Sequence, residues 1–356
     1  MTWLMLGVGL VLLVVGADLL VKGAARLAGS FGIPALVIGL TVVAFGTSAP
    51  ELAVSVKSAW SGQAELAIAN AVGSNIFNVL FILGAAAMIS PLVISRQLIR
   101  QDVPIMVLVS VVALVMTLDG SISRWEAGLL FVGLLSYTWF LFQQGKAQGT
   151  DSADEEVQAL LSTPTPAWKN LLLLVAGLAL LVSGARWLVE SAVDIARTFG
   201  VNEAVIGLTI VAAGTSLPEV VTSIIATLRG ERDIAVGNVV GSNIFNILCV
   251  LGLSGLVSPT PLMAGAQMVA LDIPVMVGVA LLCVPLFFIG SMVNRVEGLL
   301  FMSLYIAYTW YLVAIALQQS YAPQLAQGVL YGLLPLVLIY IVISFIRDRR
   351  STARSS

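Results

Sequence analysis

Two carboxylates stand inside apolar runs too long to be loops: Glu51 in Gly46-Thr47-Ser48-Ala49-Pro50-Glu51, and Glu219 in Gly214-Thr215-Ser216-Leu217-Pro218-Glu219. An ionisable group in hydrocarbon costs about 2.5 to 3.5 kcal/mol on insertion scales, so two of them at matching places point to a function that requires them. Each motif adds hydroxyl oxygens, from Thr47 and Ser48 and from Thr215 and Ser216. The proline removes an N–H and clashes with the turn before it, and the glycine lets the chain open, so each helix is expected to break or kink here. Opened backbone at membrane depth survives only beside buried polar partners or a cavity, which makes the freed carbonyls candidate ligands too.

A second repeated motif follows each of these. Val72-Gly73-Ser74-Asn75-Ile76-Phe77-Asn78 recurs unchanged as Val240 to Asn246. Ser74 and Asn78 are spaced i, i+4, as are Ser242 and Asn246, which places each pair on one helix face. Together the four segments offer two carboxylates, several hydroxyls, amide oxygens and opened carbonyls. The chain has no histidine, and its two cysteines, Cys249 and Cys283, lie in apolar segments and read as small buried hydrophobes. An all-oxygen set suits hard cations: Ca²⁺ takes six to eight oxygens in flexible geometry, whereas softer metals favour imidazole or thiolate. Glycine and serine also serve close helix packing, and asparagine also bonds between helices. Packing alone does not ask for two glutamates at equivalent positions. Without histidine there is no Ser-His dyad and no His-ligated zinc, and no pair of aspartates lies at equivalent depth, so an enzyme is not expected.

The elements that must position these groups are membrane helices. The 356 residues are 59% hydrophobic and 10% charged, which reads as an all-α polytopic membrane protein, with no support for nucleic-acid binding. Apolar runs lie near 3–21, 33–60, 64–90, 103–118 and 125–142, then near 170–189, 201–228, 233–258, 270–290 and 295–317, with an eleventh near 329–346 that has no counterpart in the first half. Phe31 to Glu51 set against Phe199 to Glu219 gives 14 identities in 21 positions at a constant offset of 168, and the second motif keeps that offset. The chain therefore divides into a first repeat (1–142), an acidic linker (143–169), a second repeat (170–317) and an extra helix with a basic tail (318–356). An odd number of spans per repeat inserts the second copy upside down, giving two inverted-topology five-helix repeats. With the N-terminus outside, 13 of the 17 lysines and arginines fall on the cytoplasmic side, so the positive-inside rule favours N-out and C-in. The linker, with Asp151, Asp154, Glu155 and Glu156, reads as a solvated cytoplasmic connection. Asp102 and Asp272, each two residues before a proline, read as helix starts. Asp18, Arg186, Glu190 and Asp194 read as helix-end residues solvated at the membrane edge.

The paired motifs in inverted halves resemble the α-repeats of the cation/calcium antiporter superfamily, and within it the bacterial sodium/calcium exchanger branch, over about residues 3–317. The resemblance implies ten core helices around a mid-membrane site, with alternating access produced by the first and sixth helices sliding over the rest. By the same resemblance the ion-binding residues fall on Ala44, Thr47, Ser48, Glu51, Ser74 and Asn78, and on Ala212, Thr215, Ser216, Glu219, Ser242 and Asn246, with the two alanines contributing carbonyls alone. It implies Ca²⁺ and Na⁺ as transported ions, H⁺ or K⁺ being the alternative counter-ions and a cation channel the alternative class. No cofactor is implied. The expected setting is the bacterial cytoplasmic (inner) membrane, with lipid as the surrounding partner and the oligomeric state left open. Asn246 stands where such exchangers usually carry Asp, so formal charge rests on Glu51 and Glu219 and the stoichiometry stays open.

Overall fold

The computed structural model describes residues 2–148, 166–201, 206, 210 and 212–355. In the first half the helices are α1 (Thr2–Phe31), α2 (Ala35–Thr47), α3 (Ala49–Trp60), α4 (Ala64–Ile89), α5 (Leu98–Met116) and α6 (Arg124–Gln148). The second half repeats them as α7 (Ala167–Thr198), α8 (Ala212–Thr215), α9 (Leu217–Leu228), α10 (Arg232–Val257), α11 (Met268–Phe288) and α12 (Arg295–Ala316), and α13 (Ala322–Arg347) follows. Among the described residues nine helices are long and apolar enough to cross a membrane, and α2 with α3 makes a tenth span bent by 47°. The remaining expected span, the seventh in chain order at 201–228, is represented by α8 and α9, and most of its first part lies outside the described residues. So do residues 149–165 of the acidic linker. The molecule is a helical membrane protein of two inverted repeats with one added helix.

The inversion is visible where α1 meets α7. Gly9, Gly16 and Gly23 recur at heptad spacing on α1, Gly177 and Gly184 on α7, and the contacts run in opposite order along the two helices. A Cβ on Gly16 would lie 2.6 Å from the backbone nitrogen of Leu181, one on Gly177 2.5 Å from that of Leu20, and one on Gly184 2.7 Å from that of Leu13. No side chain fits in this seam. Between helices in lipid, close backbone packing replaces the hydrophobic drive available in water, which is what the absent side chains allow.

The centre of the bundle is α4 and α10, and α10 is buried along the whole of its most apolar stretch. Each contains one wide π-helical turn that opens at an asparagine: Asn78–Leu83 in α4, Asn246–Leu251 in α10. At the two faces of the bundle, short strands tie the halves together crosswise. β1 (Leu92–Val93) pairs antiparallel with β4 (Met292–Val293), and β2 (Ser121–Ile122) pairs with β3 (Leu262–Met263). Arg124 Nη2 donates to the carbonyl of Ser258 at 2.7 Å beside the second pairing, and Arg295 Nη2 to that of Ile89 at 3.4 Å beside the first. The added α13 is joined to the start of α12 by a hydrogen bond from Asn294 Nδ2 to the Tyr340 hydroxyl at 3.3 Å.

Several sequence expectations change here. α5 begins at Leu98 rather than near 103, so Asp102 is not a helix start: it sits inside the helix at the end of a wide turn that absorbs Pro104, fully buried. It accepts hydrogen bonds from the Tyr137 hydroxyl at 3.1 Å, Gln97 at 3.2 Å and Gln101 at 3.3 Å. Asp272 holds the matching place in α11 and accepts from the Tyr308 hydroxyl at 2.7 Å. α1 likewise runs ten residues past its apolar stretch. Asp18 therefore lies well inside a helix, where it pairs with Lys22 at 2.8 Å and with Arg229 after α9. Arg186 and Glu190, on α7, form an exposed pair of their own at 2.8 Å.

Candidate functional site

Pro50 is the second residue of α3, and the helical path breaks one residue before α3 begins, at Ser48 (φ −81°, ψ 6°). Pro218 does the same to the second half at Ser216 (φ −87°, ψ 7°). The break puts a fresh helix N-terminus in mid-bundle, with Glu51 in the first turn of α3 and Glu219 in the first turn of α9. A helix start carries unpaired N–H groups and partial positive charge, which favours a carboxylate there. The expected opening of the Ala44 carbonyl is not seen: it accepts from Ser48 N at 3.0 Å and from Thr47 Oγ1 at 3.3 Å, because Ser48 still completes the last turn of α2. Ala212 is the first residue of α8.

The halves exchange partners at these breaks. Ser48 Oγ donates to Glu219 Oε1 at 2.8 Å, and Ser216 Oγ donates to Glu51 Oε1 at 2.7 Å. Ser74 Oγ lies 3.2 Å from Ser216 Oγ, which brings α4 to the same place. Glu51 and Glu219 are both completely buried, and each interacts through one oxygen only: Oε2 of each has no hydrogen-bond donor. Three further motif oxygens share that condition, Asn78 Oδ1, Asn246 Oδ1 and Ser242 Oγ. Buried polar atoms are nearly always paired, so five unpartnered oxygens on the predicted residues mark a set with acceptor capacity that the protein itself does not use. Among the described residues no group of three or more His, Cys, Asp or Glu is placed to hold a metal ion, so the set is two carboxylates completed by neutral oxygens, the kind that suits Na⁺ or Ca²⁺.

A second layer of asparagines holds this set, and sequence reading passed over it. Asn238 Oδ1 accepts from Thr47 Oγ1 at 2.9 Å, while its Nδ2 donates to Ser223 Oγ at 3.0 Å and to the Glu219 carbonyl at 3.4 Å. Asn70 repeats the arrangement: its Oδ1 is 3.5 Å from Thr215 Oγ1, and its Nδ2 donates to Ser55 Oγ at 2.9 Å and the Glu51 carbonyl at 3.1 Å. Thr47 thus reaches an asparagine of the other half, as Thr215 does at longer range. Asn75 and Asn243 link across as well. Asn246 Nδ2 donates to Asn75 Oδ1 at 3.0 Å and Asn78 Nδ2 to Asn243 Oδ1 at 3.1 Å. The signal that would have found Asn70 and Asn238 was available, since 238 − 70 is the same 168-residue offset.

Comparison with known proteins covers both halves of the chain. A family model described as "Sodium/calcium exchanger protein" matches residues 1–143 and 169–314. The Inner membrane protein YrbG of Escherichia coli is 44% identical over 259 residues, covering 71% of this chain and 78% of its own. The Sodium/calcium exchanger MaX1 of Methanosarcina acetivorans is 34% identical over 340 residues, covering 86% of this chain and 97% of its own. The solved structure of the sodium-calcium exchanger NCX_Mj soaked with Na⁺ and Sr²⁺ superimposes with a TM-score of 0.74 at 33% identity, covering 88% of this chain and 97% of that one.

Proposed function

This chain belongs to the sodium/calcium exchanger protein family, and on that premise we propose that it moves Ca²⁺ against a counter-flow of Na⁺ by alternating access at the crossed glutamate site. The observation that carries the reading is the pair of buried carboxylates, each tied by one oxygen to a serine of the other half and each with its second oxygen unpartnered. Two negative charges balance one Ca²⁺ or two Na⁺. A bare pair of charges in a buried site costs several kcal/mol per ion unless a cation or a proton neutralises it. Reorientation with both carboxylates bare is therefore opposed, and bound ions, protons included, favour it. That is the condition for exchange rather than leak.

The ligand set proposed is Thr47, Ser48, Glu51, Ser74 and Asn78 with Thr215, Ser216, Glu219, Ser242 and Asn246, together with the carbonyls of Ala44 and Ala212. Ala44 would contribute only if its carbonyl left Ser48, so its use marks a change at the α2–α3 break. The glycine seam supports α1 and α7 as the moving pair, because it joins them to each other by backbone contact. The proposed setting is the cytoplasmic membrane, as the name of YrbG suggests for a relative, with the N-terminus outside, the C-terminus inside and export of Ca²⁺ as the physiological direction. ⁴⁵Ca²⁺ uptake into proteoliposomes under imposed Na⁺, K⁺ or H⁺ gradients tests it. Uptake driven by Na⁺ alone is expected, uptake driven by K⁺ or H⁺ would reassign the counter-ion, and flux indifferent to every gradient would make the protein a channel.

A further inference from the structure

Asn75 and Asn243 reach across the centre of the bundle to each other's backbone: Asn75 Nδ2 donates to the Asn243 carbonyl at 3.1 Å, and Asn243 Nδ2 to the Asn75 carbonyl at 3.3 Å. A backbone carbonyl only accepts, so it fixes which end of each amide is nitrogen. With its nitrogen turned to the backbone, and also 3.6 Å from Met276 Sδ, Asn75 must present Oδ1 to residue 246. Asn243, its nitrogen also 3.5 Å from Met106 Sδ, must present Oδ1 to residue 78. Whatever stands at 78 or 246 must then be a donor toward the clasp. Asn78 and Asn246 meet the requirement with Nδ2, which leaves Oδ1 of each as the buried, unpartnered atom. Polarity passes from backbone to one asparagine to the next, and ends at two carbonyl oxygens.

We infer that Asn75 and Asn243 are positioning residues that set the amide orientation of Asn246 and Asn78, so that each turns oxygen rather than an NH₂ group to the bound cation. The inference rests on the reading of this site as a cation site. Each residue acts across the repeats: Asn75 through Asn246, Asn243 through Asn78. An amide released from the clasp is free to turn its nitrogen to the cation, which repels it.

Double-mutant cycles test this in the full-length protein purified in detergent, with two measurements. The first is ⁴⁵Ca²⁺ binding. N75A should weaken binding about tenfold in the parent but less than about twofold in an N246A background, with N243A and N78A behaving alike, because a residue acting only through another has nothing left to act on. The pair N75A and N78A, whose side chains share no hydrogen bond, should multiply. Equal weakening by N75A with and without Asn246 would overturn the inference. The second measurement is thermal unfolding of the same set without ions, where the touching pairs should be non-additive and N75A with N78A additive. Additivity throughout would remove the clasp itself, whatever the ion. A parent protein that binds neither Ca²⁺ nor Na⁺ would sink the exchanger reading, while the unfolding cycle would still decide the clasp. N75L and N243L, which keep asparagine's number of side-chain heavy atoms without its polar ones, carry the same cycles if the alanine variants do not fold.

Discussion

Ser216 Oγ and Glu51 Oε1 lie 2.7 Å apart although their residues belong to opposite halves of the chain, and Ser48 with Glu219 repeats the relationship at 2.8 Å. Each carboxylate is thus oriented by the other half's motif. Glu51→Gln and Glu219→Gln should each abolish Na⁺-driven Ca²⁺ flux while the protein stays folded and inserted, since one remaining charge leaves a divalent ion half compensated. A hydrogen bond to a charged group contributes about 1.5–3 kcal/mol, so Ser216→Ala should raise the KM for Ca²⁺ about tenfold or more, and Ser48→Ala likewise. Near-parental flux in either glutamine variant would refute a shared site.

Position 246 makes a separate claim. Asn246 Nδ2 donates to Asn75 Oδ1, and of the two forms of an aspartate there, only the protonated acid has an O–H to donate in its place. Asn246→Asp should therefore exchange while the acid is protonated and lose flux as pH is raised from about 5 to about 9, whereas the parent lacks that component. Superimposable pH profiles would show that residue 246 does not face the clasp.

The glycine seam can be tested with a control on the same helix. A Cβ on Gly16 would meet the backbone of α7, whereas one on Gly7 would meet nothing within 4 Å. Gly16→Leu and Gly177→Leu should separate α1 from α7 and eliminate exchange, and Gly7→Ala should be tolerated, with about 1 kcal/mol gained in helix propensity. Equal flux in Gly16→Leu and Gly7→Ala would show that the close approach is not needed for transport.

The ion pair from Asp18 to Arg229 anchors α1 to the end of α9, where Leu20, Ala24 and Ala226 belong to one buried cluster. Its counterpart is different: Arg186 takes the place of Asp18 and pairs within α7, and Ser61 takes the place of Arg229. Asp18→Asn should raise deuterium uptake in the second half of α1 and leave α7 unchanged, with little effect on global stability, since pairs this exposed contribute about 0.2–1 kcal/mol. Unchanged protection of α1 would show that apolar packing alone holds it.

Topology is open to labelling. Both native cysteines are buried, so single cysteines introduced elsewhere should give the only signal. Those at Gln148 and Ser355 should react only with reagent on the cytoplasmic side, and one at Gln63 only from outside. Opposite sidedness of Gln148 and Ser355 would remove α13 as a crossing.

Much of this architecture is written in periodicity and repetition. The constant 168-residue offset exposes the inverted halves, and Glu51 and Glu219 stand out because a carboxylate in an apolar run is too costly to keep unless it binds something. What sequence reading missed was of another kind. Asn75 and Asn243 lie inside the quoted motif, yet nothing in one chain's order of residues says that each bonds to the opposite repeat rather than along its own helix. Asp102 looked like a helix start because a proline follows closely, and only a wide turn, which costs a register shift that hydropathy does not record, lets the helix run through it. The glycines of the α1–α7 seam stand at heptad spacing, yet sequence reading singled out neither them nor their partner, since the two helices are separated by most of the first half.

The strand pairings at the two faces have a further consequence. β1 with β4 and β2 with β3 each join a loop of one half to a loop of the other, and every serine–glutamate and asparagine–asparagine bond of the site does the same. Duplication divides the chain at its middle, but the bonds and pairings that hold the site together run across that division. A half-chain produced alone would lose every one of these crosswise partners, so neither repeat is a smaller version of the whole.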